Sequence, residues 1–172
     1  MGPVSAEIVI DVARERAFEV IADLALRPRF TDHFLTGFHL TRIESTGVGA
    51  GARFRVDLAP RRVWMDTSIV ELRAPHRIVE RGRGGRANRI PAHTAWELVG
   101  GSGSLTVVRV AHWTEPASAL DRALETLSGA AVRQEKAWRE ALRRLRDLLE
   151  SGGAPEQRLA VAGGNPHMTG IP

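Results

Sequence analysis

The sequence predicts an α+β fold: a seven-stranded curved antiparallel sheet around a long C-terminal helix, with two short helices between the first and second strands. Three observations predict it. Short apolar runs separated by glycine and proline turns recur from residue 38 to residue 115, the pattern of a meandering antiparallel sheet. One strand-like run and two helix-like runs precede them. A long apolar stripe at helical spacing follows them, and only that element has the length to fill the hollow of a sheet that curls to bury one face.

The opening strand is expected over Ser5–Ala13, with Ala6, Ile8, Ile10 and Val12 on one face and Glu7, Val9 and Asp11 on the other. Arg14–Leu26 changes to helical spacing through Ala17, Phe18, Ile21, Leu24 and Ala25, and Pro28 ends it. A second short helix over Arg29–Phe34 presents Phe30 and Phe34 and is closed by Gly37. Six strands are then expected over 38–46, 52–58, 63–72, 77–83, 91–99 and 105–115. Their turns are the glycine-rich 47–51, Pro60, Arg73-Ala74-Pro75-His76, Gly84-Gly85 and 100–103. Pro116 opens the long helix, with Ser118 as cap and Asp121 three residues later. Its stripe is Leu120, Leu124, Leu127, Ala131, Trp138, Leu142, Leu145 and Leu149, with Arg133, Glu140, Arg144 and Asp147 opposite. Gly129 falls inside this helix at a cost of about 1 kcal/mol relative to alanine, and the helix ends near Gly152. Residues 1–150 read as one domain, and 151–172, rich in glycine and proline, as a disordered tail.

Composition narrows the function. The 172 residues contain no cysteine, which excludes disulfides, thiolate metal sites and a cysteine nucleophile. No run of about 18 apolar residues exists to span a membrane, and the first seven residues lack the regions of a signal peptide, so the expected location is cytoplasmic. The formal charge is +4, and Lys136 is the only lysine. Twenty acidic residues are mixed among the arginines, which reads as a solvated mixed-charge surface and argues against a nucleic-acid partner. No feature sets an oligomeric state.

Three stretches carry a family resemblance. They are Ile8-Val9-Ile10-Asp11-Val12-Ala13 with Ala17-Phe18-Glu19-Val20-Ile21-Ala22-Asp23, then Gly47-Val48-Gly49-Ala50-Gly51-Ala52-Arg53-Phe54, then Val70-Glu71-Leu72-Arg73-Ala74-Pro75-His76-Arg77-Ile78-Val79. On these the chain resembles the START-like, helix-grip or Bet v 1-like superfamily (SRPBCC), closest to its polyketide cyclase/dehydrase and lipid transport branch. The resemblance spans Val4–Glu150 with element order intact. It implies binding or transport of a small hydrophobic molecule, lipid-like or polyketide/aromatic, in an internal cavity. The alternative it implies is a cyclase, dehydratase or aromatase. The motifs hold turn and core residues, so they specify fold and not chemistry. No cofactor is implied.

Strand parity proposes the cavity lining. The sheet is expected to contribute Phe54, Val56, Trp64, Val70, Trp96, Leu98, Val107, Arg109 and Trp113, and the helix Leu127, Ala131 and Trp138. Pairing across 100–103 sets Leu98 opposite Leu105 and Trp96 opposite Val107, which turns Arg109 inward with Trp96 and Trp113. An inward arginine needs a partner. Asp66, sharing parity with Trp64, Ser68 and Val70, and Glu80, sharing it with Ile78, are the candidates. Arg109 would then hold a ligand carboxylate or phenolate, or with Asp66 or Glu80 orient a ketone and move a proton. The absence of tyrosine removes one common general acid and favours binding over catalysis. His93 and His112 are neighbours across two paired strands but lack a third ligand, so no metal site is expected. The basic loop Arg81–Arg89 reads as a solvated hairpin loop at the cavity mouth, with an interaction module as its alternative. It lacks the aromatics that stack nucleic-acid bases.

Overall fold

The computed structural model describes residues 2–101, 104–115 and 129–152. Seven strands form one antiparallel sheet in the order β1-β7-β6-β5-β4-β3-β2. The strands are β1 (Val4–Asp11), β2 (Leu35–Leu40), β3 (Gly51–Leu58), β4 (Arg61–Arg73), β5 (Arg77–Gly84), β6 (Ile90–Gly100) and β7 (Leu105–Thr114). Two short helices, α1 (Arg14–Ala22) and α2 (Pro28–Thr31), join β1 to β2, and the long helix α3 covers Ala130–Glu150. The meander β2 to β7 is continuous, and β1 returns to pair with β7. The meander follows from short turns that pair each strand with the next.

The helical spacing in α1 buries Ala17, Phe18, Val20, Ile21 and Ala22 against the sheet. Proline stands at the first turn of α2, where its missing N–H is no loss. Helix α3 packs against β1 and α2 and buries Ala137, Trp138, Ala141, Leu142 and Leu145. The core lies between that stripe and the concave sheet face, where Ile10, Ile69, Ile78, Trp96, Leu98 and Val108 are all fully buried.

One expectation changes here. Gly129 does not sit inside a helix: it adopts a left-handed conformation (φ 61°) and α3 begins immediately after it. Glycine is the residue that takes this geometry without strain. The first half of the expected long helix, from Pro116 with Ser118, Leu120, Asp121, Leu124 and Leu127, lies outside the described residues, as does the tail from residue 153. No described helix is long and apolar enough to cross a membrane.

Candidate functional site

The register of three central strands builds a polar row on the concave face. Glu80 of β5 pairs with Thr94 of β6, and Thr94 pairs with His112 of β7. On the other side Glu80 faces Ile69 of β4. One step along, Ile78, Trp96 and Val110 form an apolar row. The sheet thus places a carboxylate, a hydroxyl and an imidazole side by side beneath the helix.

Arg27 enters this row from the connection between α1 and α2. Its Nη2 lies 2.7 Å from Glu80 Oε1, and both side chains are 3% exposed. The same guanidinium donates to the Ile21 carbonyl at 3.1 Å and lies 4.9 Å from the Trp96 ring centre, within cation–π range. Trp96 Nε1 donates to Glu80 Oε1 at 3.0 Å, and Thr67 Oγ1 donates to Oε2 at 3.4 Å. Glu80 therefore holds three donors, one of them its counter-charge, which is what a buried carboxylate requires. The aromatic side of the site is continuous: Phe30 meets Trp96 edge-on at 6.3 Å, Trp96 meets Trp138 at 5.5 Å, and Trp138 meets Phe34 at 5.1 Å.

His112 is 5% exposed. Its Nδ1 pairs with Thr94 Oγ1 at 3.0 Å. Burial, helped by the charge of His93, pushes its pKa down to about 4, so the ring is neutral at pH 7. Among the described residues, three buried nitrogens of this region have no protein hydrogen-bond partner: His112 Nε2, Trp138 Nε1 and Arg27 Nε.

These groups surround a cavity of about 20 Å³, lined by the polar Arg27, Glu80, Thr94, His112 and Gln134 and by the apolar Phe34, Leu35, Phe54, Met65 and Trp138. That volume admits one water-sized group. A molecule larger than this enters only if the sheet and α3 separate or their side chains re-pack.

The site-residue expectations divide sharply. Phe54, Trp96, Leu98 and Trp138 are buried and Val56 is half-buried, and Phe54, Val56 and Trp138 line the cavity. Glu80 faces inward with Ile78. Val107, Arg109 and Trp113 do not. The observed pairing is Leu98 with Val108 and Trp96 with Val110, shifted by an odd number of residues from the expected one. An odd shift exchanges the faces of β7. It buries Val108 and Val110, whereas the expected register would have exposed both and buried Arg109.

Arg109 instead stands on the convex face, where its Nε bonds the Glu7 carboxylate and raises its pKa. It belongs to a charge ladder running Glu7, Arg109, Glu97, Arg77 across β1, β7, β6 and β5. Trp113 stacks on His93 at 5.0 Å on the same convex face, so His93 and His112 lie on opposite faces. No group of three or more metal-ligating side chains occurs among the described residues.

Strand β4 requires the same correction. Met65, Thr67 and Ile69 point inward, and Trp64 and Val70 are exposed by 43% and 42%. Trp64 lies 5.5 Å under the Arg53 guanidinium. Asp66, also outward, accepts from Asn88 at 2.5 Å and pairs with Arg53 at 3.6 Å. The Asn88 contact ties the arginine-rich loop to β4, where it forms a 3₁₀ turn over Arg86–Asn88. Ala131 is exposed on the first turn of α3, and Leu127 lies outside the described residues. Arg109 and Asp66 thus share no site with Glu80. The partner of Glu80 is Arg27, a residue not expected from the sequence. Its one signal was a charge set among Leu24, Leu26 and Phe30, a signal it shares with Arg29.

A family model described as "Activator of Hsp90 ATPase homolog 1-like protein" matches residues 11–150. No curated protein matches. Among solved structures, TTHA0849 from Thermus thermophilus is 17% identical with a TM-score of 0.68, over 88% of this chain and 99% of that one. A START superfamily protein from Mycobacterium smegmatis is 13% identical with a TM-score of 0.62, over 88% and 99%. DynU16, described as a putative protein in the dynemicin biosynthetic locus, is 17% identical with a TM-score of 0.59, over 88% of this chain and 48% of that one. At these identities the likeness is one of fold.

Proposed function

The chain belongs to the family of Activator of Hsp90 ATPase homolog 1-like proteins, within the START-like superfamily, and on that premise we propose that it binds a small, largely apolar molecule between the concave sheet and α3. The observation that carries this reading is the buried polar row. Glu80, Arg27, Thr94, His112 and Gln134 face the hollow beside Phe34, Phe54 and Trp138. A core that only had to be stable would place apolar groups there, since a buried ion pair adds little net stability. Polar atoms set within an apolar enclosure are the arrangement that orients a ligand.

Binding is favoured over turnover by the state of Glu80. Its oxygens are engaged by Arg27, Trp96 and Thr67, an arrangement that supports a positioning role over proton transfer. The cyclase-like alternative would need a base elsewhere in the cavity.

Native mass spectrometry of the protein purified from its own host tests the proposal. The expected result is a non-covalent adduct of one small apolar molecule per chain, reduced in Ala92→Leu, which fills the lining position of Ala92. A chain that carries nothing, and that binds no apolar probe before or after that substitution, overturns it.

A further inference from the structure

We propose that His112 and Trp138 together recognise one uncharged oxygen of the bound molecule, a hydroxyl or carbonyl group carried on an otherwise apolar skeleton. This deepens the binding reading above and rests on it.

The two rings come from different elements, β7 and α3, and line the same cavity. Their centres are 6.2 Å apart and their planes 35° from parallel. Both side chains are buried, at 5% and 3% exposure. Thr94 takes His112 Nδ1, so Nε2 is the polar atom the ring has left to offer. Among the described residues, neither Nε2 nor Trp138 Nε1 has a protein partner. Buried polar atoms are nearly always paired, and an exception marks a place where something else supplies the partner.

The chemistry of the pair selects the ligand class. An indole N–H only donates, while a neutral imidazole nitrogen donates or accepts according to its tautomer. A hydroxyl satisfies a donor with an acceptor, and a carbonyl oxygen satisfies two donors. Both are uncharged, and the cavity requires that. Arg27 and Glu80 neutralise each other at 2.7 Å, and burial keeps His112 neutral. A ligand carboxylate would be buried there with no cation of its own. The 20 Å³ space matches one oxygen-sized group.

Three probes with one skeleton test this: naphthalene, 2-naphthol and 2-naphthoate, titrated calorimetrically into the full chain at pH 7. 2-Naphthol is expected to bind at least about 10-fold more tightly than either of the others. Trp138→Phe keeps an aromatic ring and removes the N–H. Within that variant, the advantage of 2-naphthol over naphthalene should fall to about twofold or less. In the wild-type chain, the Trp138 indole N–H resonance should shift on adding 2-naphthol and not on adding naphthalene, a readout that needs no variant to fold.

Equal binding of naphthalene and 2-naphthol overturns the inference and leaves the binding function standing. Preference for 2-naphthoate overturns it in favour of a cationic anchor. A naphthol preference that survives Trp138→Phe places the oxygen elsewhere and also overturns it. If none of the three binds, the inference falls, and the native mass spectrum alone decides the binding function.

Discussion

Arg27 and Glu80 form an ion pair 2.7 Å long with both side chains 3% exposed. The pair joins the connection before α2 to the centre of the sheet. The same carboxylate takes Trp96, whose ring packs against Trp138 of α3. One buried anion therefore links the short helices, the sheet and the long helix. Arg27 and Phe34, which flank α2, border the cavity together with residues of the sheet and α3, so its shape depends on the pair.

Removing one partner should expose that dependence. Arg27→Met leaves the buried Glu80 side chain without its partner, which typically costs about 3–5 kcal/mol. The double variant Arg27→Met/Glu80→Gln leaves no unpaired charge and keeps an acceptor for Trp96. It is expected to be more stable than Arg27→Met alone. Urea unfolding of the four species gives the coupling, and simple additivity of the two losses would show that the pair does not act as a unit.

His112 should make stability depend on pH. Its folded pKa of about 4 lies below the ordinary value of 6.5, first because of burial and then because of the His93 charge. The unfolded chain thus takes up a proton near pH 6.5 that the folded chain refuses until near pH 4. Stability from this group is full above about pH 6.5 and is lost as pH falls toward 4, by about 3 kcal/mol. His112→Gln, which cannot titrate, should flatten the curve between pH 4 and 6.5. An unchanged slope in that variant would assign the effect to other groups.

Arg109 gives the opposite expectation. It and Glu7 are each about half exposed on the convex face, at 54% and 51%. Solvent screens a pair this exposed, so it contributes little to stability. Arg109→Ala should therefore change the unfolding midpoint little and leave binding of an apolar probe unaltered. A large drop in probe affinity would mean that this side chain reaches the cavity after all.

The contrast between Arg27 and Arg109 shows what was legible in the sequence. Element order and the meander were readable because each strand is bounded by its own turn. The face of β6 was readable because Glu97, a polar residue, separates Trp96 from Leu98. The face of β7 was not, because Val107, Val108, Val110 and Ala111 supply apolar residues at both parities. Its side was decided by the 100–105 turn, where β6 runs on to pair Gly100 with Thr106 and Gly101 N–H bonds the Leu105 carbonyl at 2.7 Å. Strand β4 failed for the same reason, with Trp64 and Met65 adjacent. Arg27 sits in a connection without period, and what buries it is a carboxylate 53 residues away. No local pattern encodes that contact.

Two glycines of β5 permit a final test, of how tightly β4 and β5 approach behind the cavity. A Cβ built on Gly82 would overlap the backbone carbonyl of Asp66, closer than any real Cβ contact, and press on the Thr67 backbone at 3.1 Å. Backbone in a paired strand cannot step aside without opening the ladder, and Thr67 and Glu80, which flank this point, hold the polar row. A Cβ on Gly84 would meet mainly the Met65 side chain, at 2.6 Å from Cγ, and methionine re-packs readily. Gly82→Ala is therefore expected to lose about 1–3 kcal/mol or more and to weaken probe binding. Gly84→Ala should lose clearly less. Thermal unfolding of the two variants side by side decides it: equal losses would mean that the strands can part at Gly82 as easily as a flexible side chain moves at Gly84, and that the polar row is not held by their close approach.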